Sequence, residues 1–166
     1  MKTFISSIFL FLFSSLAFAW DRYEIVDDFS GKKSVVYLQK SSNNSGGYLI
    51  INCENKVKIA WDFGEEFASK IFADSSRPLA PSAASVMVPG DIKIMVKTDE
   101  DSIRREMWSL AKSPPYTLFP KSTMKFLTQI KNKSVLRLKS EQAELVGVFD
   151  ISELNKVASD IKAVCD

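Results

Sequence analysis

Apolar and polar residues alternate with a period of two over much of this chain, and that period predicts strands. The clearest case is Lys56 to Phe63. Val57, Ile59, Trp61 and Phe63 fall on one face, while Lys56, Lys58 and Asp62 fall on the other. One side of such a strand packs on a core and the other meets water, as in antiparallel sheets. Ile92 to Lys97 repeats the pattern, with Ile92, Ile94 and Val96 inward. Further strands are predicted at Val35–Leu38, Tyr48–Cys53, Val86–Val88, Glu106–Ala111, Tyr116–Phe119, Val135–Leu138 and Leu145–Phe149. Breaks fall where glycine, proline, serine and asparagine gather. They are Ser41–Gly47, Glu54-Asn55, Gly64, the Pro-rich stretch Ser75 to Ser85, Pro89-Gly90, Ser113-Pro114-Pro115 and Ser140 to Glu144. Thr98 to Arg105 is charged and reads as a loop.

The period changes twice to that of a helix. Met124, Phe126, Leu127 and Ile130 make an apolar stripe behind Ser122, a suitable N-cap. Near the C-terminus, Leu154, Val157, Ala158, Ile161, Val164 and Cys165 share one face, with Ser152 as the N-cap. The fold class is therefore α+β and mainly β. The expected architecture is an antiparallel β-sandwich or partly open barrel with two packed helices.

The first residues follow neither pattern. Lys2 precedes the run Ile8-Phe9-Leu10-Phe11-Leu12-Phe13, and Ala17-Phe18-Ala19 then places small residues where a signal peptidase cuts. The run falls well short of the ~20 residues that span a bilayer. Residues 1–19 thus read as a cleaved signal peptide, with Trp20 the first residue of the mature chain. Residues 20–166 read as a single β-rich domain, exported to the periplasm or secreted. No stable membrane insertion is expected after cleavage.

Composition narrows the chemistry. The chain has 22 basic and 20 acidic residues and no histidine. Near-neutral charge gives no reason to expect a nucleic-acid partner. Without histidine, Ser-His-Asp and Cys-His nucleophiles are unavailable, and so is the commonest metal ligand. No catalytic, cofactor-binding or metal-binding residue is singled out, and an enzyme using carboxylates or lysine stays open as an alternative reading. The two cysteines, Cys53 and Cys165, are expected to pair in an oxidising compartment, the alternative being two free thiols. Cys165 lies on the apolar helix face and Cys53 in a strand, so the bond would staple the C-terminal helix to the sheet.

The order of landmarks resembles a known group. Trp20 is followed by Asp27-Asp28 and Ser34-Val35-Val36, and later by Leu49-Ile50-Ile51-Asn52-Cys53 and Lys56-Val57-Lys58-Ile59. Val96-Lys97-Thr98-Asp99, Trp108-Ser109 and Phe149-Asp150-Ile151-Ser152 come next, then a helix ending in Cys165. This order is similar to that of exported, type VI secretion-associated accessory proteins. Related small exported proteins called invasion-associated carry a similar two-cysteine pattern. The family usually has an Arg-Ile-Asp-like segment where Val96-Lys97-Thr98-Asp99 stands here. The resemblance implies a non-enzymatic accessory or binding role outside the cytoplasm, and it supplies no ligand.

Four lysines form the candidate binding face. Lys56 and Lys58 point away from the core, and so do Lys93 and Lys97. If their strands are neighbours, the sheet has a basic face for an acidic protein or a cell-wall component. The same pattern describes a solvated face whose lysines discourage aggregation. Asp99-Glu100-Asp101 lacks the ligand spacing of a calcium loop and reads as solvated. Asp27 and Asp28, adjacent on the chain, would point to opposite sides of a strand and so would not converge on one substrate. A second functional reading is an inhibitor or immunity protein against a cell-wall hydrolase, with Ser75 to Ser85 as the inserting loop.

Overall fold

The computed structural model describes residues 20–26, 28, 30–43, 45–53, 56–63, 91–111, 117–141 and 144–165. Several expected features lie outside these residues. They are the signal segment with Ala17 and Ala19, Asp27, the Glu54-Asn55 turn, Gly64, the Ser75 to Ser85 loop, the Val86–Val88 strand, Pro89-Gly90 and Ser113-Pro114-Pro115.

The described residues form nine strands and two helices. The strands are β1 (Asp21–Val26), β2 (Lys33–Lys40), β3 (Tyr48–Cys53), β4 (Val57–Asp62), β5 (Asp91–Thr98), β6 (Arg104–Leu110), β7 (Thr117–Pro120), β8 (Val135–Ser140) and β9 (Val146–Asp150). The helices are α1 (Thr123–Ile130) and α2 (Leu154–Cys165). All nine strands belong to one sheet, in the order β1-β2-β3-β4-β7-β6-β5-β8-β9. Every neighbouring pair is antiparallel.

Alternation fixes which face turns inward. Val35, Tyr37, Leu49, Ile51, Ile59, Trp61, Ile92, Ile94, Val96, Trp108, Leu136, Leu138 and Phe149 all join one hydrophobic core. A single core shared by so many strands requires the sheet to curl round it. Bonding between the turn after β2 and the last strand, β9, shows that it does. β9 is the last strand of the sheet and β2 the second, yet the turn after β2 reaches β9. Ser42 N–H donates to the Val148 carbonyl (2.8 Å). Val148 N–H donates to the Ser41 hydroxyl (2.8 Å), and Asn43 Nδ2 donates to the Val146 carbonyl. Val146 and Val148, on the free edge of β9, are thereby bonded to the turn after β2. Of the two architectures expected, a partly open barrel fits this continuous sheet.

The closing turn depends on its glycines. Gly47 has φ +67°, and a Cβ there would collide with the Asp62 carbonyl oxygen. The Gly46 carbonyl accepts the indole N–H of the buried Trp61 (2.7 Å). That bond satisfies a polar group deep in the core.

Both helices cover the same inner face. α1 packs on β4 and β7, and α2 packs on β2, β3 and β4. Phe126 and Ile130 anchor α1, and Phe126 meets the fully buried Trp108 edge-on at 5.0 Å. Leu154, Val157 and Ile161 anchor α2. Burial of such side chains contributes roughly 1.5–3 kcal/mol each. Cys53 and Cys165 form a disulfide with a Cα–Cα distance of 5.8 Å, so the last turn of α2 is bonded to the end of β3.

Three details differ from the sequence reading. β1 was not expected. Its six residues are all exposed, so Asp-Arg-Tyr-Glu-Ile-Val carries no buried stripe to announce a strand. β6 begins at Arg104, which shortens the charged loop expected through Arg105. Ser152 does not cap α2, which starts at Leu154. The Asp150 carboxylate instead accepts the Ser152 N–H (2.9 Å) and hydroxyl (2.7 Å), forming a turn before the helix.

Candidate functional site

The four lysines do not share one patch. Lys56 precedes β4 and Lys58 lies in it, whereas Lys93 and Lys97 lie on β5. β7 and β6 stand between those strands. The condition for a joint face, that the strands be neighbours, is not met. Different residues surround Lys93 and Lys97. β5 is flanked by β6 and β8, and the register places Met95 opposite Arg105 on one side and Lys139 on the other. Lys97 stands directly opposite Arg137. Lys93, Lys97, Arg105, Arg137 and Lys139 therefore form one cationic field on the outer face of β6-β5-β8.

Strand spacing sets its size. Neighbouring strands lie about 4.8 Å apart and residues rise about 3.4 Å each, so the field covers about 10 by 14 Å. Met107 opposes Lys93, Val146 opposes Lys139 and Val148 opposes Arg137. Methionine and valine are thus interleaved with the cations. Arg105 pairs with Glu141 (2.9 Å). Arg137 Nη1 donates to the Asp99 carbonyl (3.4 Å). Among the described residues, Lys93, Lys97, Arg137 and Lys139 make no ion pair.

The acidic residues beside this face are committed to the fold. Asp99 has φ +41°, and its carboxylate accepts the Ser134 N–H (3.1 Å) and Val135 N–H (2.8 Å). Asp101 accepts from the Thr98 hydroxyl (2.6 Å) and pairs with Lys133 (2.8 Å). Those partners hold the Asp101 carboxyl below the ordinary aspartate value, Lys133 first and Thr98 second. The Asp99-Glu100-Asp101 loop thus pins the turn between α1 and β8, and its first and last carboxylates are occupied by protein donors.

A second polar cluster joins α2 to the sheet. The Tyr37 hydroxyl donates to Asp160, and Arg22 Nε donates to the same carboxylate (3.3 Å). Asp160 is held below its ordinary value by Tyr37 first and Arg22 second. Burial, then the bond to Asp160, pushes the Tyr37 phenol up. The cluster ties β1, β2 and α2 together.

Other candidates fall into place individually. Trp20 is buried in the core, as are Trp61 and Trp108. Asp28 is exposed in a turn. Arg105, Arg137 and Lys139 were missed by sequence reading. Arg137 and Lys139 did carry a signal, since they alternate with the buried Leu136 and Leu138. What the sequence lacked was the β5–β8 pairing, which joins segments on either side of β6, β7 and α1. Comparison with protein-family models, curated proteins and solved structures finds no match to this chain.

Proposed function

We propose that this chain is a non-enzymatic binding protein of an oxidising compartment, and that it engages a polyanionic partner through the outer face of β6-β5-β8. The observation that carries this reading is the cross-strand pair Lys97–Arg137. Like charges directly opposite on a sheet are destabilising. A face needed only for solubility does better with interleaved signs. Here cations adjoin one another, and Glu141 is the acid paired to the field. Such a field suits a polymer bearing repeated phosphates, sulfates or carboxylates, and the interleaved Met95 and Met107 add apolar contact. Binding of this kind is driven by charge and weakens with salt.

Export supports the setting. The Cys53–Cys165 disulfide suits an oxidising environment, and the signal-like residues 1–19 would deliver the chain there. An accessory role beside a type VI secretion apparatus, implied by the sequence resemblance, belongs to the same proposal. It predicts that deleting the gene impairs assembly or firing of that apparatus.

The test of the face is a residue-resolved NMR titration with dextran sulfate. Shifts concentrated on Lys93, Lys97, Arg137 and Lys139 support the proposal. Shifts centred on the helices, or none at low salt, contradict it.

A further inference from the structure

On the far side of the sheet, α1 and α2 leave a groove between them. Its cavity is about 520 Å³, within the range of small-ligand sites. Ile51, Val57, Leu127 and Leu154 supply an apolar floor. Among the described residues, no carboxylate lines it. Met124, on the rim, is 64% exposed, a large apolar side chain left in water.

The polar rim is largely satisfied from within. The Thr128 hydroxyl donates to the Met124 carbonyl (2.8 Å). Asn155 Nδ2 donates to Asn132 Oδ1 (2.7 Å). Lys131 and Lys162 are different. Both line the groove, both are exposed, and neither makes an ion pair among the described residues. The Asn155–Asn132 bond brings the end of α1 beside the start of α2, so Lys131 stands near one end of the groove. Lys162 follows Asn155 by seven residues, about 10 Å along α2, and so stands near the other end.

We propose that this groove binds a single-chain anionic amphiphile, an acyl chain lying on the apolar floor with its carboxylate against one of the two lysines. Charge selects the occupant. An apolar trough with a free ammonium at each end and, among the described residues, no acid in its lining favours an apolar body with a negative head over a neutral or cationic one. The site is separate from the cationic sheet face.

The test is calorimetric titration of the oxidised protein with dodecanoate below its micellar concentration, with dodecanol as the neutral comparison. One-to-one binding is expected, at least tenfold tighter for dodecanoate. Lys131→Glu or Lys162→Glu should weaken dodecanoate at least tenfold and leave dodecanol within threefold. Thr128→Trp, at an exposed position over the groove, should weaken both ligands with little change in melting temperature. Ala158→Trp, in the groove wall, gives a second block should the first variant misfold. No binding of dodecanoate overturns the proposal. So does equal affinity for both ligands, or binding unchanged in both charge variants or in a folded tryptophan variant.

Discussion

Replacing both cysteines with serine removes a covalent tie across 112 residues of sequence. The chain-entropy relation for a loop of that length gives about 4.8 kcal/mol at 25 °C. For a domain of this size the corresponding fall in melting temperature is about 15 °C. The structure also says where the loss appears. Leu154, Val157 and Ile161 are 0–3% exposed, and their burial contributes roughly 5–9 kcal/mol together. Asp160 adds its bonds to Tyr37 and Arg22. α2 should therefore stay docked in the folded double variant, with only its last turn fraying. Urea unfolding of Cys53→Ser/Cys165→Ser measures the global term, and amide exchange measures the local one. A stability loss under 1 kcal/mol would refute the loop argument. Unprotected amides from Leu154 to Ile161 in a still-folded sheet would refute the claim that packing holds the helix.

Gly47→Ala should cost roughly 2–4 kcal/mol in urea unfolding, because it meets both a positive φ and the Asp62 carbonyl. Asp99→Ala should cost about 1–3 kcal/mol, since it removes the charged acceptor of the exposed Ser134 N–H and the half-buried Val135 N–H. Asp91, Asp101 and Asp160 all have folded pKa values below the ordinary one. Their contribution is present above the unfolded value and lost as pH falls through the lowered folded values. Stability should thus decline on acidification below the ordinary aspartate range, and Asp160→Asn should flatten that decline in a pH series of unfolding curves.

How far the sequence foretold this molecule varied with local burial. β4 was legible because Val57, Ile59 and Trp61 alternate with Lys58 and Asp62, a pattern imposed by one wet face and one dry one. The staple was legible because Cys165 sits on the apolar stripe of α2 and Cys53 in a strand. β1 was not, because an edge strand exposed on both faces has no stripe. Val164 belongs to the α2 stripe by spacing yet is 36% exposed. The cationic field was half legible. Lys93 and Lys97 were recognised as outward, but Lys56 and Lys58 were joined to them through a strand order that alternation cannot reveal. Pairing between distant segments is set by core packing, and the residues that complete the field lie on β6 and β8.

The most direct measurement is the affinity for dextran sulfate of a charge-reversed face, Lys93→Glu/Lys97→Glu/Arg137→Glu/Lys139→Glu, at about 50 mM salt where screening is weak. The control is an equal reversal elsewhere, at the exposed Lys40, Lys56, Lys125 and Lys156. Loss of at least thirtyfold in the face variant, with the control within threefold of the unaltered protein, is the predicted result. Equal losses in the two variants would show that net charge alone attracts the polyanion and would contradict a binding face on β6-β5-β8.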